Sequence, residues 1–222
     1  MSGKDSLYNE FEQSAVPGTL LISAVGVVGD LHRAATSALT GAGHDLWLVG
    51  QGSVRLGGSV VAEMLELGDT RVPAPVRNPL GRYRAVHRLI ANGRVSAAHD
   101  VSDGGVAVAL AEMAIGGRLG LAATIGCDTA GPDDDDDSAE GTGRLVAALT
   151  NEAPGQLVLE SPVTERAAVA AALSPFGRRI GTVTGARDID IRVDGTGRDD
   201  AVRVTISLED ARRAFGCGSP ES

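Results

Sequence analysis

The sequence predicts a mixed α/β domain, an α+β sandwich of helices packed on a sheet, and three observations carry that prediction. Hydrophobic residues make up 43% of the 222 residues and aromatics only 3%, so a sizeable core must be built from Val, Leu, Ile and Ala. Short apolar, β-branched runs alternate with stretches whose apolar residues recur every three or four positions. Gly accounts for 30 residues, enough to turn the chain between these segments.

The elements follow in order. MSGKDSLYNEF (1–11) is small and charged, and reads as a loop and helix start taken from the middle of something larger. GTLLISAVGVVGD (18–30) has the β-branched composition of a buried strand. Residues 31–43 are of mixed polarity and end in Gly-Ala-Gly, a connection. HDLWLVGQG (44–52) is a second strand, stopped by glycines. RLGGSVVAEMLEL (55–67) is a Gly-rich turn running into a helix, with Ser59 near the N-cap. Residues 68–79 hold prolines and no period, hence a loop. LGRYRAVHRLIANGRV (80–95) spaces Leu80, Tyr83, Val86 or His87, and Ile90 for an amphipathic helix ended by Asn92-Gly93.

VSAAHDV is a short strand, and DGGVAVALAEMAIGG a buried helix closed by Gly116-Gly117. GLAATIG is another strand. TAGPDDDDDSAEGTG (129–143) is a low-complexity acidic loop: adjacent carboxylates repel and extend. RLVAALTNEAPGQLVLESP is a helix or strand, a turn, and the strand QLVLES. VTERAAVAAALSPFG is a helix and RRIGTVTG a strand; IDIRVDG and AVRVTISLEDARRAF complete the chain. No internal repeat is present, and the order suits helices layered on a sheet.

Composition also excludes function classes. A net charge of −9 with one Trp, two Tyr and three Phe argues against a nucleic-acid surface, which needs basic patches and stacking aromatics. Cys127 and Cys217 are too few and too isolated for a disulfide framework or a zinc site. No apolar run reaches the roughly 18 residues of a membrane span. The N-terminus lacks the basic and apolar regions of a signal peptide, so a cytoplasmic location is expected.

The densest chemistry lies in SAAHDVSDGGVAVALAEMA (96–114). On a strand, His99 and Val101 point one way and Asp100 and Ser102 the other, so a Ser-His-Asp relay is not formed by these neighbours. Asp100 and Ser102 converge easily at the strand end, where the following helix offers unpaired N–H groups and a partial positive charge. Gly104 and Gly105 allow a ligand close to the backbone. The group suits phosphate with a divalent cation, Asp100 as the metal ligand and Ser102 as the phosphate donor. The plainer reading makes Ser102 or Asp103 a helix cap.

Other patterns are weaker. Gly3, Lys4 and Ser6 resemble a phosphate-binding turn without Walker A spacing. RLGGS (55–59) could cradle an anion or simply turn the chain. The run Asp133–Asp137 lacks the spaced ligands and glycine of a calcium loop. His32, His44 and His87 have no carboxylate or Cys at metal-binding spacing and read as ordinary surface or boundary residues.

Taken in order, SGKDSLYNEF, GTLLISAVGVVGDL, LWLVG, RLGGS, AAHDVSDGGVAVALAEMA and NEAPGQLVLE resemble the C-terminal part of phosphoribosylformylglycinamidine synthase. The resemblance runs from residue 2 to about residue 185. It implies the C-terminal domain of the aminoimidazole ribonucleotide synthetase-like fold from residue 44 to 222, preceded by the tail of an N-terminal β-rich domain in residues 1–43. It further implies an ATP-dependent ligase of purine biosynthesis. That enzyme converts formylglycinamide ribonucleotide to its amidine with ammonia from glutamine, supplied by a glutaminase subunit or domain.

By the same resemblance Gly3 and Ser102 are nucleotide-binding, Ser6 is substrate-binding, and Asp100 is a magnesium ligand, with ATP or ADP and Mg as cofactors; Gly104 and Gly105 join the nucleotide site because they let a ligand close to the backbone. In some members this nucleotide is structural. Lys4 stands where many members carry a metal-binding Asn, and Gln156 where Arg is usual. The family's catalytic His and most of its ATP pocket lie upstream. The resemblance therefore implies a C-terminal fragment or split part without catalytic residues of its own, which needs the missing N-terminal half. The alternative is a stand-alone nucleotide- and Mg-binding or scaffolding module; a selenophosphate synthetase is a more remote one. Neither nucleic acid nor membrane is expected as a partner.

Overall fold

The computed structural model describes residues 10–11, 14–15, 21–68, 71–76, 78–126, 142–194 and 201–216. It divides into two units at Leu31/His32, upstream of the boundary expected at residue 43. In the first unit, β1 (Glu10–Phe11) pairs antiparallel with β2 (Ser14–Ala15). The described part of the expected buried strand, residues 21–30, forms no strand, and Val25 and Val27 are 98% and 96% exposed. Its composition is right for a sheet interior. However, burial belongs to the sheet as a whole, and no described strand of this chain pairs with it.

The second unit is built on a seven-stranded sheet in the order β4-β6-β3-β7-β5-β8-β9. The strands are β3 (Asp45–Val49), β4 (Ala97–Asp100), β5 (Gly120–Gly126), β6 (Leu157–Ser161), β7 (Gly177–Thr184), β8 (Asp188–Asp194) and β9 (Val202–Ser207). All neighbouring pairs are antiparallel except β5 with β8. The helices are α1 (Val60–Met64), α2 (Pro79–Ala91), α3 (Gly105–Gly117), α4 (Thr142–Thr150), α5 (Arg166–Leu173) and α6 (Leu208–Gly216). The mixed α/β prediction therefore holds. RLVAALT resolves as a helix, and SVVAEMLEL forms only the short α1.

Period-two alternation sorts the core. Leu46 and Leu48 join Val158, Ile180 and Ile191 under α3, α4 and α6. Trp47, Val49 and Leu159 turn to the other face and meet Val86 and Leu89 of α2 and Val169 and Leu173 of α5. These two helices back only the β4-β6-β3 half and the edge of β7. On that same face no described helix covers the remaining half, where Ala122, Thr124, Arg192, Arg203 and Thr205 are all exposed.

Gly117 is the last residue of α3, as expected, although the left-handed cap residue is Arg118, at φ 54°. The glycine is needed for a different reason, because a Cβ at 117 would collide with the carbonyl of Leu39. The acidic run 133–137, Cys127 and Cys217 lie outside the described residues.

Two buried carboxylates tie the sheet to its surroundings. Asp45, fully buried on β3, accepts from Arg166 Nε at 2.7 Å and from Arg179 Nε at 2.6 Å. Burial alone would raise its pKa. Hydrogen bonds from Arg166 and Arg179, with their charges, outweigh that and hold it below the ordinary 3.8. Glu160 on β6, also fully buried, accepts from the amides of Thr40 and Gly41, and His44 Nδ1 lies 2.8 Å from its Oε1. His44 is thus a part-buried boundary residue, as expected, that in addition anchors a buried carboxylate. Its carboxylate partner is 116 positions away, invisible to any local spacing.

Candidate functional site

The turn from β4 into α3 gathers three loops. Ala97 and Val101 sit in the core beneath α3, and His99 faces the same helix, with Nε2 3.3 Å from Glu112 Oε2. Asp100 projects outward with its side chain 72% exposed, as strand alternation requires. His99 Nδ1 lies 2.6 Å from the Asp100 carbonyl oxygen and 3.6 Å from its Oδ1, within ion-pair reach of that oxygen, while most of the carboxylate stays exposed. Ser102 is exposed, and its hydroxyl makes no hydrogen bond among the described residues. The chemistry is that of an open carboxylate and an open hydroxyl two positions apart, before a helix of 13 residues.

Gly104 and Gly105 have φ of 78° and 73°. A Cβ at 105 would lie 2.5 Å from the Thr150 backbone, so glycine lets α3 start against the end of α4. Their amides are engaged within the fold: Gly104 N–H donates to Glu152 Oε1 at 2.9 Å, and Gly105 N–H to the Ser102 carbonyl at 3.0 Å. Gly104 is the N-cap residue, and neither Ser102 nor Asp103 caps the helix through its side chain.

Glu152 was not singled out by the sequence. The same Oε1 also accepts from Val60 N–H at 3.0 Å, at the start of α1, where Ser59 caps by accepting from Ala62 N–H at 3.2 Å. The segments RLGGS, SDGG and NEAPG therefore meet. Asn151 and Gln156 close the last turn from inside: Gln156 Nε2 donates to Asn151 Oδ1 at 2.8 Å and to the Ala153 carbonyl at 3.2 Å. Gln156 is buried, and as a neutral amide it fills this position without a buried charge. The only advance sign of Glu152 was its place in NEAPGQ, beside a predicted turn.

Gly3, Lys4 and Ser6 lie outside the described residues. Among the described residues no three His, Cys, Asp or Glu side chains converge on a point where a metal ion could sit, and no helix is long and apolar enough to cross a membrane. A nucleotide-borne Mg fits a site with one protein carboxylate, because phosphate oxygens and water fill most of its shell. The open Asp100 carboxylate meets that requirement.

Comparison with known proteins agrees with this architecture. A phosphoribosylformylglycinamidine synthase subunit PurL from Acidiphilium cryptum is 43% identical over 126 residues, covering 55% of this chain and 17% of that protein. The chain thus spans under a fifth of that relative. Among solved structures, T. maritima PurL complexed with FGAR matches with a TM-score of 0.59 at 18% identity, over 82% of this chain and 30% of that one. E. coli HypE, a hydrogenase maturation protein, matches with a TM-score of 0.51 at 22% identity, over 78% and 52% respectively. At these identities the two structures speak for the fold alone. Residues 41–194 match the family described as AIR synthase related protein, C-terminal domain, and the chain belongs to that family.

Proposed function

We propose that this chain is the C-terminal domain of a formylglycinamide ribonucleotide amidotransferase, and that its β4–α3 turn holds ATP or ADP with Mg. The observation that carries this reading is the exposed Asp100 carboxylate beside the unbonded Ser102 hydroxyl, at the N-terminus of α3. Asp100 takes the role of oxygen ligand to Mg, and Ser102 donates to a phosphate oxygen. The partial positive charge of the helix start favours the anion. Gly104 and Gly105, with their amides engaged, contribute by keeping side chains off the turn. Bound Mg would offset phosphate charge.

Gly3 and Ser6 are assigned to nucleotide and substrate contact by resemblance alone. No catalytic residue is assigned to this chain. The proposal has the missing N-terminal half complete the active site, a glutaminase subunit or domain deliver ammonia, and a small ribonucleotide serve as substrate. Neither nucleic acid nor membrane is a partner, and the setting is the cytoplasm. The 17% of the Acidiphilium relative covered by the match supports a larger whole.

Calorimetry of the full chain with ADP, with and without Mg, tests the site. Mg-dependent binding is expected, weakened about ten- to a hundredfold in Asp100→Ala. Undiminished affinity in that variant rules the assignment out. Mixing the chain with the N-terminal half and a glutaminase should yield amidine dependent on ATP and glutamine. Nucleotide binding without such activity, in a folded mixture, would leave the stand-alone nucleotide-binding module as the function.

A further inference from the structure

A helix start leaves amide donors that an anion can use, and at the β4–α3 turn a carboxylate of this chain already holds one of them. Glu152 Oε1 accepts from Gly104 N–H at 2.9 Å and from Val60 N–H at 3.0 Å. Its second oxygen makes no hydrogen bond or ion pair among the described residues. Gly105 N–H is taken by the Ser102 carbonyl at 3.0 Å, so the amides of both turn glycines are engaged.

The charges around this turn have mostly one sign. Asp103 is exposed and pairs with no cation among the described residues. Asp100 has only His99, 3.6 Å from its Oδ1, and that ring also lies 3.3 Å from Glu112. Among the described residues no arginine forms an ion pair with Asp100, Asp103 or Glu152. Ser102 stands two positions before Gly104, so a phosphate on its hydroxyl sits within roughly 10 Å of the Glu152 carboxylate. A bare polyphosphate therefore meets like charge there. One that carries Mg brings the missing positive charge with it.

We infer that Glu152 makes this turn selective for the metal-complexed nucleotide over the free anion. The inference rests on the nucleotide reading and adds to it the residue that sets the form of the ligand. Two amides from separate segments fix Oε1, so the charge is in place before any ligand arrives. Its repulsion of a phosphate at this range amounts to about a factor of ten when little salt is present. Glu152 acts here through its charge and its place, as a specificity-determining residue and not a catalytic one.

The test is calorimetry of the full chain with ADP at about 0.01 M ionic strength, once with Mg and once with EDTA. Glu152→Gln keeps an acceptor oxygen for both amides and loses the charge. It should tighten binding of ADP in EDTA about tenfold, a gain that shrinks as salt is added. Glu152→Asp retains the charge and should exclude free ADP as the wild type does. Glu209→Gln, the same charge change on α6 beside the far edge strand β9, should leave both affinities at the wild-type values. Unchanged affinity for free ADP in Glu152→Gln, beside intact Mg-dependent binding, overturns the inference and leaves the nucleotide reading standing. An equal gain in Glu209→Gln also overturns it, as an effect of net charge alone. Protected amide exchange at Val60 and Gly104 verifies that the Gln variant keeps the turn. If that protection is lost the Asp variant decides, and tightened binding of free ADP by it overturns the inference. No binding by the wild type even with Mg removes both readings.

Discussion

Glu152 connects, through one oxygen, the first residue of α1 and the turn into α3. Each amide is a donor that the helix start leaves without an intrahelical partner, and a carboxylate is the strongest neutral-pH acceptor for it. Glu152→Ala is expected to cost about 1–3 kcal/mol and to speed hydrogen exchange at the Val60 and Gly104 amides. Unchanged exchange at both would remove Glu152 from this role. Arg118 is a different case, a non-glycine residue in the left-handed region at a helix end. Arg118→Gly should stabilise by up to about 1 kcal/mol, because the Cβ penalty disappears. A melting temperature higher by about 2–4 °C is the corresponding readout.

At the level of elements, α5 is fastened to the sheet by its first residue, since Arg166 grips Asp45 on β3 together with Arg179 of β7. Both arginines are about half exposed, so losing Asp45 leaves cations that water can solvate. Asp45→Asn is therefore expected to cost about 2–3 kcal/mol, below the full penalty of a broken buried pair. The pKa of Asp45 is depressed in the fold. Its contribution is fully present above the ordinary carboxylate pKa and is lost as pH falls through the depressed value, under pH about 4. Trp47 packs on this same face and is the only tryptophan, so its fluorescence follows the loss. A wild type and an Asp45→Asn variant with parallel stability curves from pH 7 to 2 would contradict this account.

For the whole molecule, the notable imbalance lies in the first unit, where Leu21, Ile22, Val25 and Val27 are all more than three-quarters exposed. A contiguous apolar run of this kind marks a surface that another body covers, or one that aggregates. Replacing Val25 and Val27 by Asp should leave the melting temperature of the sheet unit within experimental scatter. The same variant should lower binding of a hydrophobic dye and self-association. A lowered melting temperature would show that the run is needed by the sheet unit.

The elements were legible where local pattern and final burial agree. β3, β5, β8, α2 and α3 lie close to where periodicity put them, because alternation and three-to-four spacing are properties of the chain itself. The outward Asp100 and inward His99 were readable for the same reason. Run 18–30 was misread, since composition states what a strand would bury and not whether a partner exists. Glu152, the Glu160–His44 pair and the Asp45 arginine clasp were out of reach: each joins residues dozens to more than a hundred positions apart. The sheet face that no described helix covers was equally hidden, being assembled from four strands in a non-sequential order. Sequence alone thus determined the fold class, most elements and the β4–α3 turn, through short-range sterics and hydrophobic period. Only the tertiary structure decided which polar groups are buried together and which sheet face the described helices cover, because both depend on contacts made by strand order and packing.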